Sequence, residues 1–292
     1  MANFKKTAET DTLVDRYKDR VVVYVESEDD FHIYARIWFF EEMERLEFRS
    51  ADQVLGGGCT KVIGLVEKDR NDGIIAYGLV DRDALMRCAK WDVFWEHDDE
   101  QFSLKRPLGD FIAILCRWEI ENYLLDPIEL EKIFADNPKK GLREPRSKEL
   151  VIKEFLHYGE TLIPVMAANI LYHKNSLRAL PRDFGFDIEK RTEIEEKVIG
   201  TIRRENIPGN SLELYQNYMV RFESFAEGHP SGSTERWERL SRMIDGKALW
   251  NRLQRKHELK DDRRFEIARR IKENDNIDRE ITGHIDYFKH IN

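Results

Sequence analysis

Short apolar segments in the first part of the chain predict β-strands that alternate with helices. Residues 21–25 form a continuous β-branched and aromatic run, and further strands are predicted at 48–54, 74–80 and 111–116. Continuous apolar runs of this length are typical of strands buried on both faces. Between these strands the apolar residues recur at helical spacing. Strands that alternate with helices predict right-handed crossovers and a largely parallel sheet.

From Pro127 onward the apolar positions recur only at helical spacing. Helices are predicted near 128–135, 146–157, 160–174, 188–204, 211–226, 234–244, 246–257 and 262–274. This change in pattern divides the chain into an α/β part, residues 1–125, and an all-helical part, residues 126–292.

Acidic side chains follow the predicted strands at their carboxyl ends. Glu26 follows the first strand, Asp81 and Asp83 follow the third, and Glu119 and Glu121 follow the fourth. In parallel sheets functional groups collect at this edge. Alternate residues of an extended chain point the same way, so Asp81 and Asp83 are expected to face one ion. Carboxylates are the usual protein ligands of Mg²⁺, which also activates water for phosphodiester cleavage.

The roles of the other acids follow from their positions. Glu26 completes the ion site or acts as a general base. Glu121 is the preferred further ligand or base, with Glu119 in reserve and equally suited to pair with Arg117 or Arg82. A continuing strand places Glu119 and Glu121 on one face, whereas a helix starting there separates them.

Residues Gly56, Gly57 and Gly58 precede a predicted helix that Thr60 caps. Glycines allow the backbone to approach a phosphate closely, and the N–H groups of a helix start point toward it. Lys61, in the first turn, adds a cation. A plain flexible turn is an equally good interpretation of this run.

Charge is distributed unevenly along the chain. The net charge is −8, but residues 1–125 carry 17 Lys and Arg against 26 Asp and Glu, whereas residues 236–272 carry 13 against 6. Either this basic segment contacts phosphates, or its cations belong to solvated helix faces. The candidate nucleic-acid contacts are Arg252, Arg255, Lys256, Arg263 and Arg264. Trp237 and Trp250 fall at apolar helical spacing, which favours core positions over base stacking.

Several classes of protein are excluded or disfavoured by the sequence. There is no apolar run of membrane-spanning length and no signal-peptide pattern, so a cytoplasmic protein without membrane contact is expected. The three cysteines lack metal-type spacing, which predicts reduced thiols, and the histidines form no zinc-type cluster. No phosphate-binding loop of ATPases and no serine or cysteine hydrolase motif is present.

The combination of Glu26 with its acidic neighbours, residues 56–58, Asp81-Arg-Asp83 and Glu121-Asn-Tyr resembles the TOPRIM fold of topoisomerases, primases and OLD-like nucleases. The similarity covers about the first 125 residues. It is greatest to the TOPRIM effector subunits of the PARIS anti-phage systems, which pair with an ATPase. The resemblance implies a TOPRIM-type largely parallel sheet with flanking helices, followed by an all-helical region.

The resemblance also implies roles for single residues. Glu26 corresponds to the family's first acid, Asp81 and Asp83 to its Asp-x-Asp pair, and Glu121 to the additional acid of the nuclease branch. Asp30 or Asp29 takes the place of an occasional further metal-binding acid. The cofactor is expected to be Mg²⁺, with Mn²⁺ as the alternative. Ser27 departs from the family, which commonly has glycine directly after the first acid.

The resemblance implies a biological role as well. The chain is expected to be held inactive by an AAA/ABC-type ATPase, to be released when phage proteins are sensed, and to act as a homodimer that cuts host RNA, with tRNA the expected substrate. Two alternatives remain: a haloacid-dehalogenase-like phosphatase, suggested by the Asp-x-Asp after a strand, and a TOPRIM module that only docks on an ATPase.

Overall fold

The structure is a computed structural model that describes residues 20–53, 58–136, 147–205, 207 and 209–290. Within these residues four strands occur: β1 (Val21–Val25), β2 (Leu46–Ser50), β3 (Ala76–Val80) and β4 (Ile112–Ile114). The α-helices are α1 (Glu28–Phe31, continued by a π-helix over His32–Trp38), α2 (Cys59–Asn71), α3 (Asp83–Arg87), α4 (Trp91–Phe94), α5 (Asp99–Leu104), α6 (Glu121–Leu124), α7 (Pro127–Ala135), α8 (Lys148–Lys174), α9 (Arg191–Arg204), α10 (Ser211–Ser224), α11 (Thr234–Leu240), α12 (Gly246–Lys256), α13 (Arg264–Glu273) and α14 (Arg279–His290).

The chain forms two compact units. The first contains the described parts of Met1–Val80, Arg106–Ile114 and Ile277–Asn292, and the second contains Asp81–Lys105 and Leu115–Asn276. The contacts therefore do not divide the chain at the predicted boundary near residue 125. The last helix belongs with the sheet, and the segment after β3 belongs with the helical unit.

The first unit is built on a four-stranded sheet with the strand order β2-β1-β3-β4, and every neighbouring pair is parallel. All five residues of β1 and all five of β3 are buried. Strands covered on both faces explain why these sequences are continuously apolar. The predicted α/β class and parallel sheet are confirmed, and the observed strand bounds differ from the predicted ones by a few residues.

The C-terminal helix α14 packs on the sheet of the first unit. Phe288 stacks on Tyr77 of β3, with ring centroids 4.8 Å apart and planes 22° from parallel. Lys289 forms an ion pair with Glu42 at 2.9 Å. No helix was predicted after residue 274, although the buried positions Ile281, Ile285 and Phe288 of α14 recur at helical spacing.

The second unit is helical, and the 27-residue α8 has buried side chains along its whole length. Helices were predicted separately at 146–157 and 160–174, but one continuous helix runs through both, including Gly159 and Pro164. Both residues disfavour a helix interior. Burial of side chains along the whole length of α8 outweighs that local preference. Trp237 and Trp250 are core residues, as predicted, with 2% and 4% of their surface exposed.

None of the helices in the described ranges is at once long enough and apolar enough to pass through a membrane.

Packing between α2 and the sheet generates a prediction about Gly78. A Cβ atom at Gly78 would lie 2.6 Å from Val62 Cγ1 and 2.8 Å from Ile112 Cδ1. We expect Gly78→Ala to lower the free energy of unfolding by about 1–3 kcal/mol, because overpacked cores must shift to relieve such contacts. Urea denaturation of the full chain measures this change.

Gly64 on α2 supplies the matched control, since a Cβ there meets no atom within 4 Å. Gly64→Ala is expected to raise the free energy of unfolding by about 0.5–1 kcal/mol through helix propensity. Equal stability of the Gly78→Ala variant and the wild type would contradict close packing at this position.

Candidate metal centre

The parallel pairing of β1 and β3 determines where Glu26 and Asp81 lie. Tyr24 pairs with Gly78 in the ladder, and both strands run in the same direction. β1 ends at Val25 and β3 ends at Val80, so Glu26 and Asp81 are the first residues beyond the strands. The carboxyl ends of neighbouring parallel strands lie at one edge of the sheet. Glu26 and Asp81 therefore both lie at this edge.

Glu26, Asp81 and Asp83 form an acidic group. One carboxylate oxygen of each residue lies within 4.8 Å of one from each of the others. Glu26 is buried, with 8% of its surface exposed, and the two aspartates are half-buried. Like charges this close repel one another, and a bound cation would reduce that repulsion. Three oxygen donors from carboxylates suit Mg²⁺ or Mn²⁺ and offer no sulfur or imidazole for softer metals.

The backbone conformation that places Asp83 in this group differs from the prediction. An extended Asp81-Arg82-Asp83 segment was expected, but Arg82 has helical angles and Asp83 begins α3. Asp83 Oδ2 accepts a hydrogen bond from Arg87 at 2.8 Å. Its Oδ1 atom is buried and has no hydrogen-bond partner among the described residues. A buried carboxylate oxygen without a donor is unfavourable, and a bound cation would relieve that cost.

Arg82 anchors the segment that carries the two aspartates. Its side chain is fully buried and donates to three carbonyl oxygens, those of Phe94, Glu96 and Cys116, each at 2.9 Å. The guanidinium also lies 4.4 Å from the ring centroid of Phe102. These contacts fix the turn after β3. Sequence reasoning missed this positioning role, because an arginine between two acids gives no sign of being buried.

Ser27 and Asp30 form the N-terminal cap of α1. Asp30 N–H donates to Ser27 Oγ at 3.1 Å, and Ser27 N–H donates to Asp30 Oδ2 at 3.0 Å. This reciprocal arrangement is a capping box. The cap explains why a serine suits the position after Glu26. It also engages Asp30, which is not part of the acidic group found among the described residues.

Gly58 is the N-cap residue of α2 and lies next to the end of β1. Its φ of 85° lies in the left-handed region that favours glycine, and its N–H donates to the Glu26 carbonyl at 3.5 Å. Lys61 lies in the first turn of α2, as predicted, and is half-buried. Gly56 and Gly57 lie outside the described residues. Of the residues predicted to approach a phosphate, the structure therefore describes Gly58 and Lys61, at the start of α2.

Glu119 and Glu121 are engaged in a buried ion network of the second unit. Lys247 Nζ lies 3.1 Å from Glu119 Oε2 and 3.3 Å from Glu121 Oε2. Arg264 donates to Glu121 Oε1 at 2.5 Å. A helix does start at Glu121, yet both side chains converge on Lys247. The structure therefore does not bring Glu121 into the acidic group with Glu26, and its charge is balanced by Lys247 and Arg264.

The Glu119 carboxylate sits at the N-terminus of α12, where Lys247 N–H donates to its Oε1 at 2.7 Å. Arg182 lies 3.8 Å away. Burial and the neighbouring charges of Asp245 and Glu121 raise the pKa of Glu119 well above its usual range, against the opposing effect of Lys247 and Arg182. This network connects residues 119–121 with the start of α12 within the helical unit.

The predicted nucleic-acid contacts separate into interior and surface residues. Arg252 is 3% exposed and donates to the carbonyls of Phe184 and Gly185, and burial lowers the pKa of its guanidinium to about 10. Arg264 has a side chain only 15% exposed and is paired with Glu121 and Asp262. Their expected placement on an outer basic face is wrong, because both side chains satisfy polar groups inside the unit.

The other three predicted contacts lie at the surface. Arg255 pairs with Asp187 at 2.5 Å, and the side chain is 58% exposed. Lys256 pairs with Glu189 at 3.4 Å, and Arg263 pairs with Glu266 at 2.7 Å. Exposed ion pairs of this kind contribute about 0–1 kcal/mol to the free energy of unfolding. Replacing the carboxylate partner by a phosphate would therefore cost little. Arg255, Lys256 and Arg263 thus stay candidates for phosphate contact.

Comparisons with protein-family models, with curated proteins and with solved structures found no match to this chain.

The acidic group generates a prediction about cation binding. We expect Mg²⁺ or Mn²⁺ to raise the melting temperature of the full chain, because a cation that binds only the folded state stabilises it, by about 2.7 kcal/mol at a hundred times its Kd. In Asp81→Asn the increase should be lost, since one charged ligand is removed. Differential scanning fluorimetry with and without the ion measures both shifts.

Asp92→Asn is the control, because Asp92 is an exposed aspartate on α4 outside the group. Its melting temperature should respond to the cation as that of the wild type does. Equal shifts in all three proteins would count against a site at Asp81.

The ion network generates a prediction about pH. The pKa of Glu119 is raised in the folded chain, so the folded state holds a proton that the unfolded state releases above about pH 4.5. The stability contributed by this group is therefore lost as pH rises through that window. Relative to Glu119→Gln, the wild type should lose up to about 1.4 kcal/mol of unfolding free energy per pH unit. Urea denaturation from pH 4 upward measures the difference, and a constant offset between the two proteins would show that Glu119 is not shifted.

Proposed function

We propose that this chain is a metal-dependent phosphodiester hydrolase, a nuclease of the TOPRIM type. The observation that supports the proposal is the meeting of Glu26, Asp81 and Asp83, which are far apart in sequence, within 4.8 Å at the carboxyl edge of a parallel sheet. Ligand and substrate sites of open α/β sheets lie at this edge.

In the proposed site, Glu26, Asp81 and Asp83 hold one or two Mg²⁺ ions, with Mn²⁺ as an alternative. Bound Mg²⁺ supplies charge neutralisation at the phosphate and lowers the pKa of coordinated water. Arg82 keeps the two aspartates in place through its three carbonyl contacts. Gly58 and the N-terminal N–H groups of α2 approach the phosphate, and Lys61 adds a positive charge.

Glu26 distinguishes this proposal from the phosphatase alternative. A haloacid-dehalogenase-like enzyme uses an Asp-x-Asp after a strand, as Asp81 and Asp83 are arranged, but it gives no role to an acid after the neighbouring strand. The presence of Glu26 in the same acidic group favours the nuclease. The contacts of Glu121 with Lys247 and Arg264 favour a structural role over the ligand role that the resemblance implies.

We extend the proposal to the biology that the resemblance implies. The chain acts as the effector of an anti-phage abortive-infection system, is held inactive by a partner ATPase of the AAA/ABC type, and cuts host RNA, with tRNA the expected substrate, as a homodimer after release. Arg255, Lys256 and Arg263 are the surface cations proposed to contact the nucleic acid. Sequencing of cleaved cellular RNA and DNA after expression of the chain with its ATPase tests the substrate assignment.

Cleavage by the purified chain tests the proposed reaction directly. We expect Mg²⁺- or Mn²⁺-dependent cutting of RNA or single-stranded DNA, abolished by EDTA. Glu26→Gln should lower the rate roughly a hundredfold or more, because a ligand or general base is lost while side-chain volume is kept. Gel assays report the rate, and circular dichroism confirms that the variant is folded.

Glu100→Gln is the matched control, since Glu100 is an exposed glutamate on α5 outside the acidic group, and it should cut at the wild-type rate. Hydrolysis of p-nitrophenyl phosphate without nucleic-acid cleavage would support the phosphatase instead. Cation binding without either activity would support a docking module.

A further inference from the structure

The helical unit contains a cavity of about 300 Å³. Its apolar wall includes Trp118 and the α8 residues Leu162, Val165 and Met166. This volume lies at the lower end of the range for small-molecule sites, and mostly apolar walls with a few polar groups are typical of such sites. The cavity is thus suited to one flat, largely apolar group.

The polar residues of the cavity are held in place by their own hydrogen bonds. Asn169 Oδ1 accepts from Leu180 N–H at 2.8 Å, which orients the amide and leaves its NH₂ group as the donor. Arg182 Nε donates to Asp245 Oδ2 at 3.1 Å. Amide and guanidinium groups with fixed orientation can bond the edge of a base without first being ordered.

The cavity adjoins the acidic group through Asp83, which lines it. Asp245 contributes a second carboxylate to the same wall. The charged side chains that line the cavity are Asp83, Asp245 and Arg182, so the cavity has no excess of positive charge that would attract a phosphate, whereas an uncharged base requires none. A nucleotide whose phosphate reaches the metal ligands would therefore place its base, not its phosphate, in the cavity.

We propose that this cavity receives the unpaired base of the nucleotide adjacent to the cleaved phosphate. The inference rests on the proposed function, since the acidic group defines the phosphate position. A base can enter only when it has left its stack, so the substrate class is single-stranded nucleic acid or an unpaired loop. The cavity then contributes to substrate choice as well as to affinity.

Binding of ribonucleoside 5′-monophosphates to the full chain, in the presence of Mg²⁺, tests the inference. We expect at least one of AMP, GMP, CMP and UMP to bind, and ribose 5-phosphate, which lacks a base, to bind on the order of tenfold more weakly or not at all. Isothermal titration calorimetry gives the dissociation constants. Deoxyribonucleotides in the same titration show whether the 2′-hydroxyl matters.

Leu177→Trp occupies part of the cavity with little risk to folding, because Leu177 lines it and is 36% exposed. The variant should bind the mononucleotide on the order of tenfold more weakly. Leu214→Trp is the matched control: Leu214 is 43% exposed on α10 and does not line the cavity. It should bind as the wild type does.

The outcomes separate this inference from the proposed function. Nucleotide binding that is weakened by Leu177→Trp supports the base cavity even if no nucleic acid is cut, in which case the nuclease proposal alone fails. Metal-dependent cleavage with no mononucleotide binding, with equal binding of ribose 5-phosphate, or with equal binding by Leu177→Trp and wild type overturns the base cavity and leaves the nuclease intact.

Discussion

Mutual repulsion among three carboxylates is the interaction on which the candidate site depends. Glu26, Asp81 and Asp83 bring oxygens within 4.8 Å of one another, and Glu26 is buried. Like charges at this distance repel one another, and such an arrangement persists where surrounding contacts hold the groups in place. Parallel pairing of β1 and β3 positions Glu26 and Asp81 at the strand ends. The buried Arg82 holds the segment that carries Asp81 and Asp83.

The distribution of cations follows the same electrostatic logic. The basic segment 236–272 carries an excess of positive charge in sequence, yet several of its cations neutralise acids within the helical unit. Lys247 lies between Glu119 and Glu121, and Arg264 pairs with Glu121. A net charge counted along a segment therefore overstates the positive surface that it presents. Of the five predicted nucleic-acid contacts, only Arg255, Lys256 and Arg263 are exposed.

Asp83 would link the two proposed functions of the chain. Asp83 belongs to the acidic group through its carboxylate and to the cavity wall through its position at the start of α3. If the site cleaves phosphodiesters, a base held in that cavity would be fixed relative to the metal ligands, and orientation of this kind contributes to rate as well as to specificity. Reaction and substrate choice would then share a single structural element.

The sequence by itself determined the parallel α/β class, the approximate strand bounds and the acids at strand ends, because continuous apolar runs, period-3.6 patterns and strand-end chemistry are local. Only the tertiary structure decided which acids meet. Glu121 and Asp83 both follow a predicted strand in the sequence. In the structure Glu121 forms ion pairs with Lys247 and Arg264, whereas Asp83 lies beside Glu26. The continuous α8, the interior Arg252 and the placement of α14 on the sheet were likewise decided by burial against residues distant in sequence, which no local pattern encodes.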